Sequence, residues 1–174
     1  MKTDSKKSTI APVAGAGKIL ALDYGRTRIG VAIADAVARI AEPLTTLERI
    51  NRNEDMRRLR ELARDAGVKR IVVGLPLKLD GSHGEMAEEA TGFAERVRKQ
   101  LGLPVEMVDE RLTSWEAERI LEEELGRRIT HQETPGGRKR LSRPEDGKYS
   151  VDAVAAMVIL REYLSRESGA QEQR

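Results

Sequence analysis

The sequence contains no cysteine. Disulfides, thiolate metal sites and cysteine nucleophiles are excluded together, and the composition suits a reducing, cytoplasmic setting. Aromatic residues are scarce, at 3%, so stacking of bases on aromatic platforms cannot be a major mode of binding. Long hydrophobic runs are missing too. The longest wholly apolar stretch covers residues 153–160, far short of the ~20 residues of a membrane span. The opening "MKTDSKKSTIAPVAGAGK" is broken by Asp4, Pro12 and two glycines, which leaves no apolar signal segment. Only two histidines occur, His83 and His131, too far apart for a helical pair, so a histidine-based metal site is not expected. Neither charge sign dominates: 34% of residues are charged, yet the net charge is +2. That balance neither demands nor excludes a polyanionic partner, because local distribution matters more than the total.

What is present reads as one domain, residues 18–165, between flexible tails at 1–17 and 166–174. A chain of 174 residues is long enough for one sizeable core and too short for two comfortable ones. Residues 18–24 and 28–34 read as buried strands joined by a tight turn at 25–27. A weaker third strand covers 38–47, with Pro43 marking an edge or bulge. The period then changes. Asn53 is a plausible N-cap for a helix that carries Met56, Leu59, Ala63 and Ala66 on one face and stops at Gly67. A strand at 70–76, the polar loop "LKLDGSHG", a helix ending at Gly102 and a strand at 104–110 follow. Thr113 and Glu116 form a capping-box pattern opening another helix, on which Trp115 is expected to serve packing. Residues 127–150 read as a long basic loop, with seven cations against three acids. A last, mostly apolar helix runs from near Ser150 to about Leu164. This order predicts a mixed sheet, parallel where βαβ units occur and covered by helices on both faces. In such sheets ligands gather at the carboxyl ends of the parallel strands. Asp23 belongs to that edge if the first strand is central.

Three acids stand out by context. Asp23 closes an apolar strand, Glu110 (with Asp109 beside it) closes another, and Asp152 is the only ionisable residue in 151–160. Each alone has an ordinary structural reading: a turn acceptor, a partner for Arg111, a helix-dipole acid. Together, carboxylates converging from two strand ends and one helix start would repel one another unless a cation lay between them. Hard oxygen donors of this kind suit Mg²⁺ or Mn²⁺, and paired ions of this class serve phosphodiester cleavage. The surroundings fit a phosphate substrate. Gly25 and Gly30 allow close backbone approach, Arg26 and Arg28 supply charge, and Gly74 and Lys78 belong to the loop "GLPLKLDGS" leaving the adjacent strand end. Arg111, Thr113 and Ser114 lie just beyond Glu110. Arg138, Lys139 and Arg140 in the basic loop could follow a nucleic-acid backbone without reading its sequence.

Four blocks, "ALDYGRTRIGVAIAD", "VVGLPLKLDGS", "VDERLTSWEAERIL" and "VDAVAAMVIL", together resemble the YqgF family, also called RuvX, pre-16S rRNA nuclease or Holliday junction resolvase. They occur in the family's order over about residues 18–165. The resemblance implies an RNase H-like α/β fold: a mixed five-stranded sheet, three strands antiparallel and then parallel ones, flanked by helices on both faces. It also implies divalent-metal-dependent cleavage of nucleic acid in maturation of the 16S rRNA 5′ end, with Asp23, Glu110 and Asp152 at the family's acidic positions. Asp109 and Glu110 point to opposite faces of a strand; Glu110 is favoured as the ligand. The sequence departs from the family at "DAVAR", where a proline often follows the aspartate, so a looser hairpin is expected there. The segment before Asp152 is also longer and more basic than usual.

The first expectation is therefore a cytoplasmic nuclease acting on an RNA precursor, a monomer or homodimer. Resolution of four-way DNA is the alternative nuclease reading and requires a dimer. A sugar-kinase or actin-like ATPase shares the Asp-x-Gly after a strand but needs a second, duplicated domain. A noncatalytic RNA- or ribosome-binding protein on the same fold is the remaining contrast.

Overall fold

The structure, a computed structural model, describes residues 17–110, 119 and 149–171. Strands β1 (Lys18–Tyr24), β2 (Arg28–Asp35) and β3 (Ala41–Glu48) follow one another, then α1 (Arg52–Ala66), β4 (Val68–Leu75), α2 (Glu85–Leu101), β5 (Val105–Asp109) and α3 (Val151–Gln171). The sheet order is β3-β2-β1-β4-β5. β1, β2 and β3 pair antiparallel, while β4 and β5 run parallel to β1. This is the RNase H-like arrangement the resemblance implies, and it puts β1 at the centre.

Side chains alternate faces along each strand, and the two faces differ in size. Leu20, Leu22, Ile29, Val31, Ile71 and Val73 pack with Met56, Leu59 and Leu62 of α1 and Phe93 and Val97 of α2. Ile19, Ala21, Ala32, Ala34, Val72 and Val108 pack with α3 through Val154, Met157, Ile159 and Leu160. The α3 face is alanine-rich, so this helix lies close on the strands. That explains why it is buried on nearly every side through its first half.

Element ends follow local chemistry. Asn51, rather than the expected Asn53, caps α1: its Oδ1 accepts from the Asn53 and Glu54 amides at 3.1 and 2.9 Å. The mistake was one of offset, since both asparagines precede the acidic first turn. Gly67 ends the helix at φ 70°, a left-handed conformation that glycine adopts without steric cost. Pro43 sits where the β2–β3 register shifts, on a strand that is also an edge. The β2–β3 hairpin is not loose: Asp35 Oδ1 accepts from the Val37 and Ala38 amides at 2.8 and 2.9 Å, supplying locally the order that a proline would give. α3 starts at the capping residue Ser150, whose Oγ accepts from the Ala153 amide at 3.2 Å, and runs seven residues beyond the expected Leu164. Past that point it is tied to the sheet through Glu167, which bonds Arg70, and steadied by an Arg166–Glu162 pair. Of the helix expected from Thr113 only residue 119, which is helical, is described, and of the basic loop only its end at 149–150.

Candidate active site

Parity and register bring the acids together. Asp23 follows Ile19 and Ala21 in the alternation along β1 and so faces α3. Across the antiparallel pair it stands opposite Gly30. On β5, Val108 belongs to the α3-facing core, and Glu106 accepts from the α3 residue Tyr163 at 2.8 Å. Continuing that alternation puts Glu110, not Asp109, on Asp23's side. Its amide donates to the Leu75 carbonyl at 3.2 Å, extending the β4–β5 ladder by one bond.

Two glycines make room. A Cβ at Gly74 would coincide with the Glu110 carboxylate and come within 2.6 Å of Ile159 Cδ1. A Cβ at Gly30 would collide with the Asp152 carbonyl and lie 3.1 Å from its Cα. Hence the start of α3 rests directly on β2, and the Glu110 side chain lies across β4. Ser150 also hydrogen-bonds Thr46 of β3, pinning the helix start from the other side.

The charges are crowded. Burial, then the Asp152 charge, pushes Asp23 up to about 6 from its ordinary 3.8. Burial, then the charges of Asp23 and Asp109, pushes Glu110 up to about 8 from 4.5. Both shifts come first from burial and then from neighbouring negative charge. Asp152 has a partner, the Arg28 Nε at 3.1 Å. Among the described residues, no group of three or more His, Asp or Glu side chains is spaced to hold a metal ion by itself. The donor set is nonetheless all carboxylate oxygen in a negative field, the chemistry that Mg²⁺ and Mn²⁺ take.

The expected phosphate contacts divide. Arg28 lies against Asp152, at the site. Arg26 reaches α2 instead, with Nη2 2.7 Å from Glu89 and 3.1 Å from Glu85. Gly25 makes the turn after β1 tight: a Cβ there would lie 2.5 Å from the Arg28 carbonyl. Lys78 is exposed on the loop that leaves β4 beside Glu110. Arg111, Thr113, Arg138, Lys139 and Arg140 lie outside the described residues. A cavity of about 280 Å³ lies at the opposite end of the strands, lined by Gly17, Lys18, Ile19, Ala36, Lys69, Arg70 and Pro104, away from the acids.

Sequence reasoning missed Arg49. Its guanidinium donates to the Tyr24 hydroxyl at 3.0 Å and the Gly25 carbonyl at 3.2 Å, and lies 5.0 Å over the Tyr24 ring. Asp55, 2% exposed, anchors it at 3.0 Å. Tyr24 in turn bonds Glu89, the partner of Arg26. This network grips the turn directly after Asp23. The only signal for it was an arginine ahead of a helix with an acid in its first turn, a common pattern.

Comparison with known proteins matches this fold over nearly its whole length. The family described as "RuvX: Holliday junction resolvase" covers residues 17–166. A protein of Anaeromyxobacter dehalogenans named "Putative pre-16S rRNA nuclease" is 43% identical over 151 residues, 87% of this chain and 98% of its own. A protein of the same name from Thermosynechococcus vestitus is 39% identical over 150 residues, 86% of this chain and 89% of its own. Among solved structures, RuvC of T. thermophilus in complex with a Holliday junction substrate is 15% identical, with a TM-score of 0.49 over 87% of this chain and 96% of that one. On the extent of the family match and the identity to these relatives, the chain belongs to the RuvX family and is a nuclease.

Proposed function

We propose that this protein is a divalent-metal-dependent nuclease that cuts phosphodiester bonds in structured nucleic acid, with a ribosomal RNA precursor as substrate and maturation of the 16S 5′ end as its role. It works in the cytoplasm, as a monomer or homodimer. No helix among the described residues is long and apolar enough to cross a membrane. One observation carries the reading: two largely buried carboxylates at the ends of β1 and β5, on either side of β4, both with raised proton affinity and with a third acid in electrostatic range of Asp23. Such a pocket takes a small hard cation in place of protons.

Asp23, Glu110 and Asp152 would hold Mg²⁺ or Mn²⁺. When bound, the ion supplies an acidified water and charge stabilisation at the scissile phosphate. The chain's own residues do the rest. Asp23 and Glu110, held by strand ends, keep their oxygens fixed while substrate enters. Arg28, bonded to Asp152 in the free protein, is the cation best placed to meet a phosphate there. Gly25 and Gly74 keep the backbone low beside the site, and Lys78 meets the flanking phosphate. Arg111, Thr113, Arg138, Lys139 and Arg140 contribute contacts that position the backbone without reading bases, and Arg26 joins them only on leaving Glu85 and Glu89.

The test compares native protein with Asp23→Asn on a precursor 16S rRNA 5′ segment and on a four-way DNA junction, with and without Mn²⁺. Cleavage of the RNA by native protein, Mn²⁺-dependent and absent from the variant, is expected. Cutting confined to the DNA junction would shift the reading to a resolvase. RNA binding without any cleavage would make this a noncatalytic RNA-binding protein.

A further inference from the structure

We propose that Leu79 is a wedge that enters an opened base step next to the cut, so that the protein selects branched or bulged RNA over continuous duplex. The identity of the ligand rests on the nuclease reading above; the wedge itself rests on how this side chain is presented. Leu79 is 90% exposed, the highest value for any large hydrophobic among the described residues. Of the other exposed large hydrophobics, Ile50 and Val151 lie at the same end of the sheet, one just after β3 and one beside Asp152, while Val37 and Ile40 lie in the β2–β3 turn at the other end.

The loop that carries Leu79 is built rather than slack. The Leu75 carbonyl accepts from both Leu77 (2.9 Å) and Glu110 (3.2 Å), so the base of the loop is fastened at the acid site. Gly81, at φ 83°, donates to the Lys78 carbonyl at 2.8 Å, and Lys78 donates to the Ser82 carbonyl at 3.0 Å. Asp80 Oδ1 accepts from the Ser82 amide at 2.8 Å and from its hydroxyl at 2.6 Å. These bonds close a turn over residues 78–81 with Leu79 at its first corner. That corner accepts most residue types and proline best, so the turn itself does not call for leucine.

Single exposed leucines are ordinary. This one differs by being fixed in place, next to a lysine, on the edge that holds the acids. The stem of Lys78 lies along Gly84, where an added Cβ would come within 3.0 Å of its Cε. Four residues separate Leu79 from Leu75, a span of at most ~14 Å. The side chain therefore stays at the end of the sheet where Glu110 is fastened to Leu75. Aliphatic side chains enter base steps and part them, at least cost where the stack is already interrupted. Among the described aromatics, Phe93 is buried, Tyr24 and Tyr163 are bonded to Glu89 and Glu106, and Tyr149 is half-buried against the α3-side core.

The experiment places 2-aminopurine, whose fluorescence rises on unstacking, beside the branch of a three-way RNA, and at the same position in a continuous RNA duplex. A four-way DNA junction forms a third arm. Asp23→Asn protein, with Mg²⁺, binds these probes with Leu79 intact or changed to Ser or Met. Leu79→Ser in the Asp23→Asn background is expected to abolish the fluorescence rise on the branched RNA and weaken its binding about tenfold, and Leu79→Met to restore both. Binding to the duplex is expected to be the same for all three. An equal rise with Leu79→Ser, or binding of branched RNA without any rise, would overturn the wedge. Should the rise depend on Leu79 while native protein cuts nothing in Mn²⁺, the wedge stands and the nuclease reading falls. A Leu79-dependent rise seen with the DNA junction alone would overturn the RNA preference.

Discussion

Gly30 and Gly74 leave room on the sheet for the start of α3 and for the Glu110 side chain. Each occupies a spot where a β-carbon would displace the start of α3 or the Glu110 side chain. Gly30→Ala is therefore expected to cost ~1–3 kcal/mol by overpacking against the Asp152 backbone, visible as a lower Tm in thermal denaturation. Asp23 and Glu110 carry an opposite signature. In the metal-free fold they titrate near 6 and 8, against about 4 when unfolded. The folded state thus binds more protons than the unfolded state between about pH 4 and 8, and its stability falls as pH rises through that interval. Glu110→Gln is expected to raise the Tm of metal-free protein at pH 8 while leaving it little changed at pH 4. A Tm at pH 8 unaltered by the substitution would show that the carboxylate is not under strain. Asp23 was legible from the sequence because an apolar strand ended on it. The choice between Asp109 and Glu110 was not, because it depends on which sheet face α3 covers.

At the level of elements, the turn between β1 and β2 is held from outside. Arg49, at the end of β3, joins the Tyr24 hydroxyl and the Gly25 carbonyl to the buried Asp55 of α1. Losing a buried partner of a carboxylate costs ~3–5 kcal/mol, so Arg49→Ala is expected to destabilise strongly. Lysine can keep the charge opposite Asp55 but lacks the planar fork that reaches tyrosine and carbonyl together. Arg49→Lys is accordingly expected to retain most of the stability while lowering kcat through a misplaced Asp23, with KM little changed. Equal kcat in the lysine variant would confine Arg49 to a structural role. Contacts of this kind escape sequence reading because they join residues 24 or 25 positions apart. Strand and helix order was legible since it follows periodicity, and helix stops at Gly67 and Gly102 followed from glycine's freedom at positive φ. The displaced N-cap and the longer α3 escaped because each depends on individual side-chain bonds.

In the whole molecule α3 lies close on a small-residue sheet face, and the ends of β1 and β5 and the start of α3, far apart in the chain, carry Asp23, Glu110 and Asp152 at one end of the sheet. A cation bound beside Asp23 and Glu110 would relieve the burial and repulsion that raise them. Mn²⁺ is therefore expected to raise the Tm more at pH 8, where Asp23 is charged and Glu110 loses its proton, than at pH 5.5, where protons compete for both. The measurement that tests this most directly is a Mn²⁺ binding titration at pH 7.5 on native protein, Asp23→Asn, Glu110→Gln and Asp152→Asn, each verified as folded. The account predicts saturable binding by native protein and at least about tenfold weaker binding by each variant. Native protein that binds no Mn²⁺, or variants that bind it equally well, would contradict a shared cation site.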